Sequence, residues 1–134
     1  MILTYENHTK GAPWKYWDFS QPRDVFLEIL GNFIDTPLKV CFDTANSLVL
    51  GEDPIELLKI VKEEVATVHV FDIHAVNSFE PVLVGTGVSP IKEILFILKH
   101  SGFDGWLSVE EASHTGYEGF VRATSFVQST WDQI

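Results

Sequence analysis

Four short apolar runs, at residues 2–5, 38–42, 67–71 and 106–109, are each followed by a polar stretch and then by a segment with helical periodicity. This alternation constrains the fold more than any other feature of the sequence. The runs are short and continuously apolar, which predicts strands buried on both faces rather than half-exposed antiparallel ones. The segments between them carry helix start signals. Gln21-Pro22 leads into Val25, Phe26, Ile29, Leu30 and Phe33, with Ser20 available as a cap. Asp53-Pro54 precedes Ile55, Leu57, Leu58 and Val61, so that Asp caps and Pro takes the first helical position. Ser89-Pro90 repeats the device before Ile91, Ile94, Leu95 and Leu98, and Gly102 stops that helix beyond Lys99 and His100. A last helix is expected from Tyr117–Glu118 onward. The βαβαβαβα order implies a parallel sheet with right-handed crossovers. Two α/β architectures compete: a doubly wound open sheet, and four units of a TIM barrel, which takes about 250 residues when complete.

Composition sets the outer limits. At 134 residues with 46% hydrophobic and 21% charged side chains, a single domain over 1–134 is expected, able to bury roughly two-thirds of its unfolded surface. Nine basic against 19 acidic residues give a formal charge of −10, which argues against a nucleic-acid partner, since surfaces that hold phosphodiester backbone are basic. No apolar run approaches the eighteen or so residues of a membrane span, and the N-terminus lacks a signal-peptide layout. The single cysteine, Cys41, excludes an internal disulfide and fits a reducing compartment, so a cytoplasmic location is expected. The sequon Asn7-His8-Thr9 would go unused there.

Every apolar run leads into, or carries, a residue able to ligate a metal. The runs end in Glu6-Asn7-His8, Asp43-Thr44-Ala45-Asn46, His69-Val70-Phe71-Asp72-Ile73-His74 and Glu110-Glu111. In the body of a buried strand such groups would be costly. At the C-terminal mouth of parallel strands they are half-solvated and can converge, as active sites in these folds do. The set Glu6, Asp43, His69 and Glu110 offers three carboxylates and one imidazole. It suits a divalent ion, Mn²⁺ or Mg²⁺ first, with Co²⁺ or Zn²⁺ compatible. Three members have a plainer reading: Glu6 as a loop carboxylate, Asp43 as the acceptor of an Asx turn, and His69 as a hydrogen-bonded core histidine.

With these motifs in order, the chain resembles the C-terminal half of the sugar phosphate isomerase/epimerase superfamily, the xylose isomerase-like TIM barrels, to which endonuclease IV also belongs. The resemblance rests on Glu6-Asn7-His8, Phe42-Asp43-Thr44-Ala45-Asn46, His69-Val70-Phe71-Asp72, Val84-Gly85-Thr86-Gly87-Val88 and the stretch from Gly102 to Glu111. It implies a (β/α)4 half-barrel, with Glu6, Asp43, His69 and Glu110 as metal ligands. It further implies that Glu6 and Glu110 act as an acid/base pair on opposite faces of a carbon next to a carbonyl. Two positions depart from the family pattern. Asn46 stands where the family commonly has a substrate-touching His, and Phe71 where it commonly has a Lys.

Asn46, His8 and His74 at the rim, and Trp14 in the long loop after the first strand, are the expected substrate contacts. Trp14 belongs to a cluster with Tyr16, Trp17 and Phe19 that could stack on a sugar face or pack against a partner. Asp72 is expected to orient a loop rather than bind metal, and Glu111 to point away from Glu110. Gly85-Thr86-Gly87 offers either a phosphate-cradling turn or simply a tight loop. The leading functional expectation is a divalent-metal-dependent sugar or sugar phosphate isomerase/epimerase. An endonuclease IV-like hydrolase and an inactive half-barrel are the alternatives. A half-barrel would expose inward Val, Leu and Phe side chains and two open edges, so self-association or a missing N-terminal half is expected.

Overall fold

The computed structural model describes residues 1–9, 19–33 and 35–134. Its elements run β1 (Leu3–Glu6), α1 (Arg23–Gly31), β2 (Leu38–Asp43), α2 (Asn46–Val49), α3 (Pro54–Val61), a 3-10 turn (Lys62–Glu64), β3 (Val65–Val70), α4 (Ile91–His100), β4 (Trp106–Val109) and α5 (Gly116–Gln133). The four strands pair in chain order, β1-β2-β3-β4, and every pair is parallel. An unreversed order distinguishes the barrel segment from the doubly wound sheet, which switches direction at its ligand crevice.

Alternate strand residues build the core. Tyr5, Val40, Phe42, Val68, Val70, Leu107 and Val109 pack with Phe26, Ile55, Leu57, Leu58, Ile94, Leu95, Leu98 and Val127 of the helices. Burying each such side chain contributes about 1.5–3 kcal/mol. The helices therefore cover one face of the sheet, and Tyr5 stacks on Phe26 of α1 with ring centroids 4.8 Å apart. The remaining strand positions, including Glu6, Cys41, Asp43, His69 and Ser108, point to the other face.

This pattern corrects two expectations. Burial on both faces holds for β2 at Val40, Cys41, Phe42 and Asp43 but not for every strand: β4 alternates between exposed and half-buried residues along its length. The Val, Leu and Phe residues face the helices, while the face that would line a barrel interior carries mostly polar groups. The apolar runs misled because Thr4, Lys39, Thr67 and Ser108 are scattered singly among apolar neighbours.

The helix signals were local and mostly held. Asp53 caps α3, its carboxylate accepting from the Ile55 N–H at 2.8 Å with Pro54 in the first turn. Gly102 ends α4 with a φ of 81°, the left-handed conformation that glycine adopts freely. Ser89 and Ser20 are not the caps expected; Pro90 and Pro22 occupy the N-cap positions of α4 and α1. No helix among the described residues is long and apolar enough to cross a membrane.

Candidate metal centre

Strand register sets the site. Parallel pairing opposes Glu6 to Cys41, Asp43 to His69, and His69 in turn to Ser108. Two side-chain clasps extend the ladders past the strand ends, where main-chain groups would otherwise be left unpaired. The Asn7 amide accepts from the Asp43 N–H at 2.8 Å and donates to the Asp43 carbonyl at 3.1 Å, as a neighbouring strand would. The Thr44 hydroxyl accepts from the Phe71 N–H at 2.9 Å and donates to the Phe71 carbonyl at 2.6 Å. On the far side, the Glu110 N–H donates to the Val70 carbonyl at 3.0 Å. The mouth of the sheet is thus held at the points where the four side chains emerge.

Those side chains converge. One ligand atom from each of Glu6, Asp43, His69 and Glu110 lies within 4.8 Å of all the others. The Nδ1 of His69 is 3.2 Å from Glu6 Oε1 and 3.5 Å from Glu110 Oε2. Asp43 is fully buried; its Oδ1 accepts from the N–H groups of Ala45 and Asn46 at 2.8 and 2.7 Å. Its Oδ2 is buried with no hydrogen-bond partner among the described residues.

The electrostatics follow from this crowding. Burial pushes the Asp43 carboxyl up to about 8, against the two backbone N–H groups, with the charges of Glu6 and Glu110 adding to the rise. Hydrogen bonding to Cys41 and then to Glu6 raises His69 to about 11, against partial burial. A divalent cation would remove both strains, since it favours the ionised carboxylate and the neutral imidazole. The orphaned Asp43 Oδ2 and the donor set of three carboxylates and one imidazole both fit such an ion.

The other expected residues separate into groups. Asn46 is buried at the start of α2, and its main-chain N–H is one of the two that fix Asp43. His8 and His74 are exposed, and neither joins the converging set. Trp14 lies outside the described residues, as do Tyr16 and Trp17.

Asp72 orients a loop. Its carboxylate accepts from the N–H groups of Ile73, Gly85, Gly87 and Ser89, at 2.8 to 3.0 Å. The N–H groups of Gly85 and Gly87 are thereby taken, so the turn is a tight loop and not a phosphate cradle. Glu111 points away from Glu110, accepting from the Val84 and Ser113 N–H groups at 3.2 and 2.7 Å. Sequence reasoning missed three residues: Asn7 and Thr44 as clasps, and Cys41, whose Sγ lies within 4.8 Å of the ligand atoms of Glu6 and His69. The period of two that puts Cys41 on the face of Asp43 was the available signal.

A family model described as a xylose isomerase-like TIM barrel matches residues 1–128. The chain belongs to the xylose isomerase-like TIM barrel family. Solved structures share the fold of this family member. One, a xylose isomerase domain protein from Planctomyces limnophilus, is 22% identical with a TM-score of 0.73, over 99% of this chain and 45% of that one. A D-tagatose 3-epimerase-like protein is 19% identical with a TM-score of 0.78, over 98% and 47%. The probable 3-DHS dehydratase AsbF from Bacillus anthracis is 17% identical with a TM-score of 0.76, over 96% and 49%. No curated protein matches by sequence. The chain spans about half the length of the solved structures it matches, as a four-strand segment of an eight-strand barrel should.

Proposed function

We propose that this chain supplies the metal-binding half of a divalent-metal-dependent sugar or sugar phosphate isomerase/epimerase. The observation that carries the reading is the convergence of ligand atoms from Glu6, Asp43, His69 and Glu110, with Asp43 Oδ2 buried and without a hydrogen-bond partner among the described residues. Glu6, Asp43, His69 and Glu110 would hold the ion, Mn²⁺ or Mg²⁺ by the balance of oxygen donors, which when bound stabilises negative charge on a substrate oxygen. Glu6 and Glu110 are the candidate acid and base. A proton next to a carbonyl needs a positioned carboxylate to receive it and a second group to return one, and both glutamates border the His69 ring. The solvent-facing side of Glu110 leaves it open to a substrate, whereas Asp43 is sealed beneath. Asn46, His8, His74 and Trp14 are the candidate substrate contacts of the rim. A hydrolase of the endonuclease IV kind fits less well, because the cluster holds a single imidazole and the chain carries a charge of −10.

The test is solvent exchange. With Mn²⁺ present, and with the barrel completed by a second half, the protein is incubated with a panel of ketoses and ketose phosphates in deuterium oxide. NMR then follows the hydrogens beside the carbonyl. Exchange at one such carbon is expected, and Glu6→Gln and Glu110→Gln should each abolish it. Exchange retained in both variants would remove the glutamates as acid and base, whatever their metal affinity.

A further inference from the structure

Cys41 has no place in that mechanism, yet it stands directly across the β1–β2 ladder from Glu6 and one inward step below Asp43. Its Sγ, the Glu6 carboxylate and the His69 ring nitrogen form a second group whose ligand atoms lie within 4.8 Å of one another. Glu6 and His69 belong to both groups. An ion held by these two can be completed from above, by Asp43 and Glu110, or from below, by Cys41. Asp43, whose Oδ2 has no hydrogen-bond partner among the described residues, belongs to the upper group alone.

The two tiers differ in softness. Carboxylate oxygens suit Mg²⁺ and Mn²⁺, whereas thiolate selects thiophilic ions such as Zn²⁺. We propose that Glu6, Cys41 and His69 form an overlapping second metal position for a thiophilic divalent ion, which excludes the oxygen-preferring ion from the upper position because both need Glu6 and His69. On binding, the Cys41 thiol proton leaves to solvent and the sulfur–metal bond forms, with no change of oxidation state. The proposal rests on the reading of Glu6 and His69 as metal ligands. The competing account is that Cys41 is a small buried filler of the barrel interior.

Because Cys41 is the only cysteine in the chain, Co²⁺ is a clean probe. Under anaerobic, reducing conditions the full chain titrated with Co²⁺ should show a near-ultraviolet thiolate-to-cobalt charge-transfer band. Zn²⁺ should bleach it. Cys41→Ser and Cys41→Ala should lack the band, and Zn²⁺ affinity in Cys41→Ala should fall at least about tenfold, while Mn²⁺ affinity, read by electron paramagnetic resonance, stays within about twofold. Bound Co²⁺ with visible absorption but no charge-transfer band in the unsubstituted chain would overturn the proposal and leave the upper site standing. That result needs no variant to fold. Failure to take up either Mn²⁺ or Co²⁺ would overturn the metal reading and this proposal with it.

Discussion

Asp43 shows how a single side chain can be costly to the folded chain and useful to a bound ion. Its Oδ1 is held by two main-chain N–H groups while Oδ2 has no partner among the described residues. In Asp43→Asn the amide oxygen can still accept from Ala45 and Asn46, so the fold should persist. Mn²⁺ affinity, measured by calorimetry, should drop at least about tenfold. Unchanged affinity would show that Asp43 is not a ligand. The pH dependence has a definite sign. Asp43 rises from 3.8 to about 8, so the folded metal-free chain binds a proton that the unfolded chain has lost, and stability falls as pH climbs through that window. His69 rises from 6.5 to about 11 and acts in the same direction, its contribution being full below 6.5 and lost toward 11. An entering ion must expel both protons. Mn²⁺ binding at pH 7, compared in two buffers of different ionisation enthalpy, should therefore release protons and tighten as pH rises. Binding with no proton release would contradict this. The convergence of Glu6, Asp43, His69 and Glu110 was legible in the sequence because carboxylates at the ends of apolar strands are out of place unless they have work there. For Cys41 the period of two gives the shared face with Asp43, but only the pairing register shows that it stands opposite Glu6.

Elements were legible where their signals are local and obscure where they span the chain. Asp53-Pro54 announces α3 within three residues. By contrast, the partners of Asp72 lie as far as 17 residues onward at Ser89, and the Asn7 clasp reaches 36 residues to Asp43, so neither leaves a pattern in sequence. The clasps and the cap should respond differently to mutation. Asn7→Ala leaves the N–H and carbonyl of Asp43 without partners in a buried site, and Thr44→Ala does the same at Phe71. Each should cost about 1–3 kcal/mol in denaturant unfolding and weaken Mn²⁺ binding, because the mouth of the sheet loosens. Asp53→Ala should cost about 1 kcal/mol and leave Mn²⁺ affinity unchanged, since α3 starts away from the converging side chains. A cap variant that loses metal as strongly as the clasp variants would refute this division. The Asp72 loop has little tolerance as well: a Cβ at Gly87 would collide with the Ile73 carbonyl oxygen and the Asp72 carboxylate, so Gly87→Ala should distort the loop that Asp72 gathers.

At the scale of the whole molecule, the sheet is half of a closed structure. Among the described residues β1 and β4 each pair on one side only, and Trp106 on the β4 edge is 81% exposed. A groove beside it is lined by Phe103, Leu107, Val127 and Trp131. The inner face is more polar than the sequence suggested, so any association should be driven by these edges and not by a bare apolar wall. We expect the isolated chain to self-associate or to bind a separately supplied N-terminal half-barrel. Sedimentation at micromolar concentration tests it: a compact, cooperatively melting monomer indifferent to the other half would contradict the expectation. The central claim is narrower, that four strand ends hold one divalent ion. Crystals grown with Mn²⁺ and measured at its absorption edge test it most directly. The account predicts one anomalous peak within about 2.0–2.4 Å of oxygen or nitrogen atoms from Glu6, Asp43, His69 and Glu110. A peak elsewhere, or no peak at saturating Mn²⁺, would contradict it.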